Sequence, residues 1–382
     1  MNWNKLKFKE FITLQRGFDL PVDEMNDGEV PVLGSTGVIG YHNKTKVNPP
    51  GVVTGRSGTI GVIQYTDKPY WPHNTSLWVK DFKSNCPKFV YYKMQTLNLD
   101  RFNGGASVPT LNRNNLVNLI VQVPDIPMQE KIADILSAYD NHIDTNRRRI
   151  QLLEEAARFL FREWFVYFRF PGHEKEKIVD RGGKKMPSEW DYLPFTKIKL
   201  FHKTTLGVPV FTDIRQYYQT SEIDSTSITG NGEEVDYENR PSRADIVPTI
   251  NTVYFAKMKD TDKVLYFNRG NSFLLEKILL STGMVGFTTD EKYLGFLFGL
   301  LTSYEFVQYK NNFATGATQV SLNNASLKKI KVLLPVLNLV ELYSEIVNPL
   351  LEKCSLLRSQ NQKLVQARDL LLPRLMSGEI EV

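Results

Sequence analysis

Phe102-Asn-Gly-Gly-Ala-Ser-Val-Pro-Thr-Leu-Asn112 and Phe313-Ala-Thr-Gly-Ala-Thr-Gln-Val-Ser-Leu-Asn323 are one segment met twice, 211 residues apart. The same offset carries Leu116 to Leu327, Leu119 to Ile330, Val121 to Val332 and Pro124 to Pro335. It continues through Glu130 and Glu341, Ile135 and Ile346, Leu153 and Leu364, Ala156 and Ala367. An internal repeat decides the architecture before any residue-level reading. The chain is therefore expected to hold two half-proteins, each a globular unit followed by a helical tail. A shorter echo, Ser57-Gly-Thr-Ile-Gly61 against Thr282-Gly-Met-Val-Gly286, lies at a different offset.

Working outward, the globular units read as strand-rich and mixed. Short β-prone runs broken by glycine occur at residues 30–33, 52–54 and 60–64, and again at 252–255, 264–267 and 278–280. Helices are expected at 88–97 and 294–310. Each unit closes with a strand and a proline, at 119–123 and 330–334.

The tails carry a heptad seam. In the first it is Ile132, Leu136, Tyr139, Ile143, Asn146, Ile150, Leu153, Ala157, Leu160 and Trp164. In the second it is Tyr343, Val347, Leu350, Cys354, Leu357, Asn361, Leu364, Arg368, Leu371 and Leu375. Apolar residues alternating four and three apart make a coiled-coil face, and one asparagine near the middle of each seam can fix register. The expected pairing is antiparallel, with Asn146 opposite Asn361 and Ile132 opposite Leu375. The first helix is expected from about Pro127 to about Phe168, a spacer of about 60 Å. Pro349 is expected to break or restart the second helix with Asn348 as N-cap, and Pro373 to end it at Leu372.

The fold class is therefore α+β: two globular domains in pseudo-twofold repeat, separated by two long helices that form an antiparallel coiled coil. The boundaries read as 1–125 for the first domain, 126–170 for the central helix, 171–187 for a charged linker, 188–336 for the second domain and 337–382 for the C-terminal helix.

Composition excludes several classes. The 382 residues are 42% hydrophobic and 23% charged, a globular balance, with a net charge of +5. Residues 1–125 hold fourteen Lys+Arg against ten Asp+Glu, a mild surplus that a polyanion could use. No apolar run is long enough to span a membrane, and no apolar core of a signal peptide follows Met1. Two cysteines make neither a disulfide framework nor a zinc set, so a cytoplasmic setting is expected.

Catalytic motifs are missing. The five histidines, His42, His73, His142, His173 and His202, form no ligand pair at helical or strand spacing. Gly34-Ser-Thr-Gly-Val-Ile-Gly40 lacks the ending of a phosphate loop. Asn48-Pro-Pro-Gly51 is a near-miss to a methyltransferase motif whose fourth residue stacks on a flipped base, which glycine cannot do. Pro124-Asp125 opens no nuclease motif, and no nucleophile elbow is present. No catalytic residue and no metal site is assigned.

These residues together resemble the DNA-specificity (S) subunit of type I restriction–modification systems, over essentially the whole chain. Val30-Pro-Val-Leu-Gly-Ser-Thr-Gly-Val-Ile-Gly-Tyr-His-Asn43 and Gly51-Val-Val-Thr-Gly-Arg-Ser-Gly58 resemble the core of a target-recognition domain. Pro241-Ser-Arg-Ala244 resembles a motif of another recognition-domain subtype. Gly105–Asn112 and Gly316–Asn323 resemble the segment that ends such domains, and Leu371-Leu-Pro-Arg-Leu-Met-Ser-Gly-Glu-Ile380 the family's C-terminal ending. The resemblance implies a non-catalytic subunit whose two recognition domains each read one half of a bipartite double-stranded DNA site, with the coiled coil as ruler. It implies two methyltransferase (M) subunits that methylate adenine N6 and two translocase–nuclease (R) subunits. S-adenosylmethionine, ATP and Mg2+ would sit on those partners and no cofactor on this chain. A stand-alone DNA-binding module and a structural protein without a DNA role stay open as alternatives.

Base and phosphate reading calls for basic and amide or hydroxyl side chains on loops that reach a groove. The candidates in the first domain are Tyr41, Lys44, Arg56, Ser57, His73, Asn74, Thr110 and Arg113. In the second they are Lys203, Thr204, Thr205, Tyr217, Arg243, Arg269, Asn271, Thr318 and Gln319. Asn146 and Asn361 are the register pair. The aromatic cluster from Phe159 to Phe170 exceeds what one seam can bury, which makes Phe161 and Phe165 candidates for packing on a recognition domain or on a methyltransferase subunit.

Overall fold

The computed structural model describes residues 3–105, 107–316 and 320–382. It divides into two compact units, Met1–Asp144 with Gln362–Val382, and Thr145–Asn361. Both long helices, Ile126–Phe161 and Leu337–Ser377, contribute to each unit.

In the first unit the strands Thr13–Arg16, Ser76–Asp81, Gly51–Gly55 and Ile63–Thr66 form an antiparallel sheet in that order. A second sheet sets Val30–Leu33 between Val38–His42, antiparallel, and Trp71–Pro72, parallel. Trp3–Lys7 pairs with Ile120–Pro124. One face of these strands meets the helix Pro87–Gln95 and the helical seam in one core. It holds Phe11, Val52, Phe89, Leu116, Ile132, Leu136 and Leu375.

The second unit repeats this topology. His202–Lys203, Met284–Thr288, Thr252–Ala256 and Val264–Phe267 form the antiparallel sheet. Arg215–Tyr218 lies between Glu233–Val235, antiparallel, and Ile278–Ser281, parallel, with Ala244–Ile246 added outside. Asp191–Pro194 pairs with Lys331–Leu334. The expected helix at 294–310 is two, Leu294–Thr302 and Tyr304–Phe313, because the Ser303 side chain caps the second by accepting from the Phe306 amide. The segment read as a linker folds a hairpin, Ile178–Asp180 against Lys185–Pro187, and buries Met186. The short echo does not mark equivalent places. Residues 57–61 follow the strand Gly51–Gly55, whereas 282–286 lead into Met284–Thr288, which corresponds to Ser76–Asp81.

The helices pair antiparallel inside each unit. In the first, Ile132 and Leu375 share the core and Arg368 Nη1 donates to Asp140 Oδ1 at 2.6 Å. In the second, Asn146 Nδ2 donates to Asn361 Oδ1 at 2.9 Å, so the expected register holds. Two expectations about proline fail. The second helix runs unbroken through Pro349 and Pro373 to Ser377. An interior proline removes one backbone hydrogen bond, at about 3 kcal/mol. Pro349, Pro373 and the residues four earlier, Glu345 and Asp369, are all exposed, so water can take up the freed carbonyls. The buried seam holds the helix together on its other face. The first helix leaves α geometry at Phe161 and passes through a π-helical stretch, Arg162–Val166.

A buried polar network, unseen in the seam pattern, ties the second unit's domain to its helices. Arg358 Nη2 donates to Glu154 Oε1 at 2.5 Å and to Thr226 Oγ1 at 2.7 Å. Its Nη1 donates to the Tyr266 hydroxyl at 2.6 Å, and that hydroxyl donates to Glu154 Oε1 at 3.0 Å. Thr226 Oγ1 donates to Glu154 Oε2 at 2.7 Å. Burial opposes the Arg358 charge, but Tyr266 and Glu154 outweigh it and hold its pKa above the ordinary guanidinium value. Burial pushes the neighbouring Cys354 thiol up to about 11, which makes it a packing residue.

Candidate nucleic-acid interface

In the first unit the end of the central strand Gly51–Gly55 meets two loops. The Arg56 amide donates to the Thr75 carbonyl at 2.8 Å, and the Arg56 carbonyl accepts from the Leu111 amide at 2.8 Å. Ser57 bridges to Thr110. The fold thus brings Arg56, Ser57, Asn74 and Thr110, four of the sequence candidates, to one place. Gly55 is required there: a Cβ on it would lie 1.9 Å from the Thr59 carbonyl oxygen. Arg56 Nη1 reaches the Asn74 carbonyl at 3.4 Å, Asn74 Nδ2 donates to Asp19, and the Thr110 hydroxyl donates to the Val108 carbonyl at 3.1 Å.

His73 is a post for this loop. Its Nε2 faces the Leu20 carbonyl at 3.2 Å, and its Nδ1 lies 2.9 Å from the Thr75 hydroxyl, so the partners assign the ring proton to Nε2. Both ring nitrogens are engaged, which leaves none for a base. Arg113 is exposed, with Nη1 on the Leu14 carbonyl at 3.2 Å. Tyr41 and Lys44 are exposed, Tyr41 on the strand Val38–His42 and Lys44 just after it. Lys44 borders a cavity of about 550 Å3 that also contains Asp23, Glu24, His42, Lys46 and Trp71.

In the second unit Lys203 and Thr204 stand at the sheet edge. Lys203 Nζ donates to Asn324 Oδ1 at 2.5 Å and the Thr204 amide to the Gly286 carbonyl at 3.0 Å, while Thr205 is exposed. Arg243 is exposed, and its carbonyl accepts from the Thr282 amide at 2.9 Å. Arg269 is exposed and pairs with Glu291 at 2.8 Å.

Several candidates need correction. Tyr217 is only 3% exposed; its ring fills a small core with Val208, Phe211 and Leu279, because its place in Arg215–Tyr218 faces inward. The Asn271 side chain is spent locally, accepting from the Asn268 amide at 2.8 Å and donating to the Tyr266 carbonyl at 2.9 Å. For Phe161 and Phe165 the first alternative, packing on the globular domain, is the one seen, and they are not free for a partner subunit. They pack on their own unit, Phe161 5.9 Å from the Tyr343 ring and Phe165 5.0 Å from that of Phe296. Thr318 and Gln319 lie outside the described residues.

Sequence reasoning missed Lys257. The strand Thr252–Ala256 holds the place of Gly51–Gly55, and the basic residue that follows each strand was the available signal. Among the described residues no three His, Cys, Asp or Glu gather as for a metal ion, and no helix is long and apolar enough to cross a membrane.

Comparison with known proteins agrees with this architecture. Residues 1–155 match the family model of the type I restriction modification DNA specificity domain. The specificity subunit of the type I restriction enzyme HindI from Haemophilus influenzae is 25% identical over 71% of this chain and 71% of its own. The MjaIX specificity subunit from Methanocaldococcus jannaschii is 23% identical over 77% of this chain and 69% of its own. The crystal structure of a type I S subunit from M. genitalium shares the fold, with a TM-score of 0.61 at 15% identity, covering 98% of this chain and 96% of that one. The resemblance to the DNA-specificity subunits of type I restriction–modification systems is thus present in the sequence, in the relatives and in the fold.

Proposed function

We propose that the chain is the sequence-reading subunit of a type I complex, with each recognition domain taking one half of a bipartite duplex site. The single observation that carries this is the repeated topology: two domains, each presenting the end of its central strand with two flanking loops, on a pair of antiparallel helices. In the first domain Arg56 supplies charge for a phosphate, while Ser57, Asn74 and Thr110 supply hydroxyl and amide groups suited to base edges. Residues 1–125 and 188–336 are the proposed readers. The helices between them are the proposed ruler that sets the spacer. The chain has no chemistry of its own in this reading. Two methyltransferase subunits with S-adenosylmethionine act on adenine N6, and two translocase–nuclease subunits use ATP and Mg2+, in the cytoplasm. The test is co-expression with a type I methyltransferase subunit from the same cell, followed by sequencing for N6-methyladenine. The expected result is a bipartite methylated motif with a fixed gap that vanishes when this chain is omitted. Methylation that is the same with and without the chain contradicts the proposal.

A further inference from the structure

Lys257 occupies in the second domain the place that Arg56 occupies in the first. The Arg56 amide donates to the Thr75 carbonyl and the Arg56 carbonyl accepts from the Leu111 amide, each at 2.8 Å. The Lys257 amide donates to the Gly283 carbonyl at 2.9 Å, and its carbonyl accepts from the Leu322 amide at 2.8 Å. The next residue bridges in both cases, Ser57 to Thr110 and Met258 to Ser321. Leu111 and Leu322 are themselves a pair in the 211-residue repeat. Two domains with different sequences therefore hold one basic residue at the same point of the same backbone.

Lys257 lies among basic side chains, with Asp260 and Asp262 acting on the nearby Lys310 rather than on Lys257 itself. Arg243 gives its carbonyl to the Thr282 amide, next to the Gly283 carbonyl that Lys257 takes. Lys310, itself 3% exposed, places its ammonium on the Ala256 and Met258 carbonyls at 3.4 and 3.0 Å, clasping the backbone on either side of Lys257. Partial burial, and after it the charges of Lys203 and Arg243, draw the Lys257 pKa below the usual lysine value. Among the described residues no carboxylate pairs with Lys203, Arg243 or Lys257. Like charges gathered without a counter-charge repel one another, and a polyanion relieves that repulsion.

We propose that Lys257, with Lys203 and Arg243 beside it, is the phosphate-binding site of the second recognition domain, the counterpart of Arg56 in the first. The inference rests on the DNA-reading function proposed above and names the contact by which the second half-site is held.

The experiment uses the full chain in its complex with the methyltransferase subunits, on duplex carrying the methylated motif. Affinity is measured as a function of salt for the wild-type complex and for Lys257→Gln, Lys257→Arg and Arg56→Gln. Lys257→Gln is expected to weaken binding about tenfold and to lower the slope of log affinity against log salt by about 0.9, the contribution of one phosphate contact. Lys257→Arg is expected to restore both. Neutral methylphosphonates in the second half-site should weaken the wild-type complex, and weaken Lys257→Gln by less, since only Lys203 and Arg243 then remain to meet the phosphate; in the first half-site they should weaken Arg56→Gln less than wild type. A wild-type complex without sequence-selective binding overturns the underlying reading together with the inference. Selective binding with an unchanged slope in Lys257→Gln overturns the inference alone. If Lys257→Gln fails to fold, the methylphosphonate result on wild type and Lys257→Arg decides: no loss from neutral phosphates in the second half-site overturns it.

Discussion

Arg358→Met is expected to destabilise the second unit by about 3–5 kcal/mol, the scale for removing one partner of a buried ion pair. Glu154 is buried and its two oxygens are served by Arg358, Thr226 and Tyr266. Without the guanidinium its carboxylate keeps two hydroxyl donors and Arg158, whose Nη2 stands 3.5 Å away and whose side chain is a third exposed. That is weak compensation for a desolvated charge. For a unit of this size the loss corresponds to a fall in melting temperature of roughly 6–20 °C. Adding Glu154→Gln to Arg358→Met removes the stranded charge, so the double variant should recover most of the loss. Calorimetry on the full chain reads both. A single variant as stable as wild type, or a double variant worse than the single, contradicts this account of the network.

Deleting one heptad from each helix is expected to shorten the gap in the recognised site by about three base pairs. Seven helical residues span about 10.5 Å, and each base pair rises about 3.4 Å. Residues 141–147 and 360–366 are the segments to remove. They leave the heptad phase intact and spare the Asp140–Arg368 and Glu154–Arg358 pairs. They also remove Asn146 and Asn361 together, so neither amide is stranded in the seam. Three base pairs turn the duplex by about 100°, given about 10.5 base pairs per turn, so weaker binding is expected alongside the shorter gap. Methylated-motif sequencing reads the outcome, and full methylation with an unchanged gap refutes the ruler.

The helical register was legible because the seam repeats every 3.5 residues over a long stretch and carries one asparagine on each helix of the pair. Register is then a matter of matching Asn146 to Asn361. The strands were legible where a short β-branched and aromatic run stands out between polar residues, as in Val264–Phe267, and their ends shifted by one to three residues elsewhere. Tertiary context decided what remained. Pro349 and Pro373 look like stops in the sequence, and only burial of the opposite face shows why they are not. Tyr217 and Asn271 are residue types that read DNA, yet one faces a core and the other caps a turn. Glu154 and Arg358 adjoin the seam as ordinary charged residues, and their pairing depends on Tyr266 and Thr226 arriving from the domain. Lys257 was hidden because the repeat loses its constant offset upstream of Phe102 and Phe313, so its match to Arg56 exists in backbone hydrogen bonds rather than in aligned letters.

The most direct test of the central claim is to exchange residues 1–125 for the first recognition domain of a relative with a different target, and to sequence N6-methyladenine in cells that also carry the methyltransferase. The account predicts that one half of the bipartite motif changes to the relative's while the other half stays the same. A motif in which both halves change, or neither does, contradicts it.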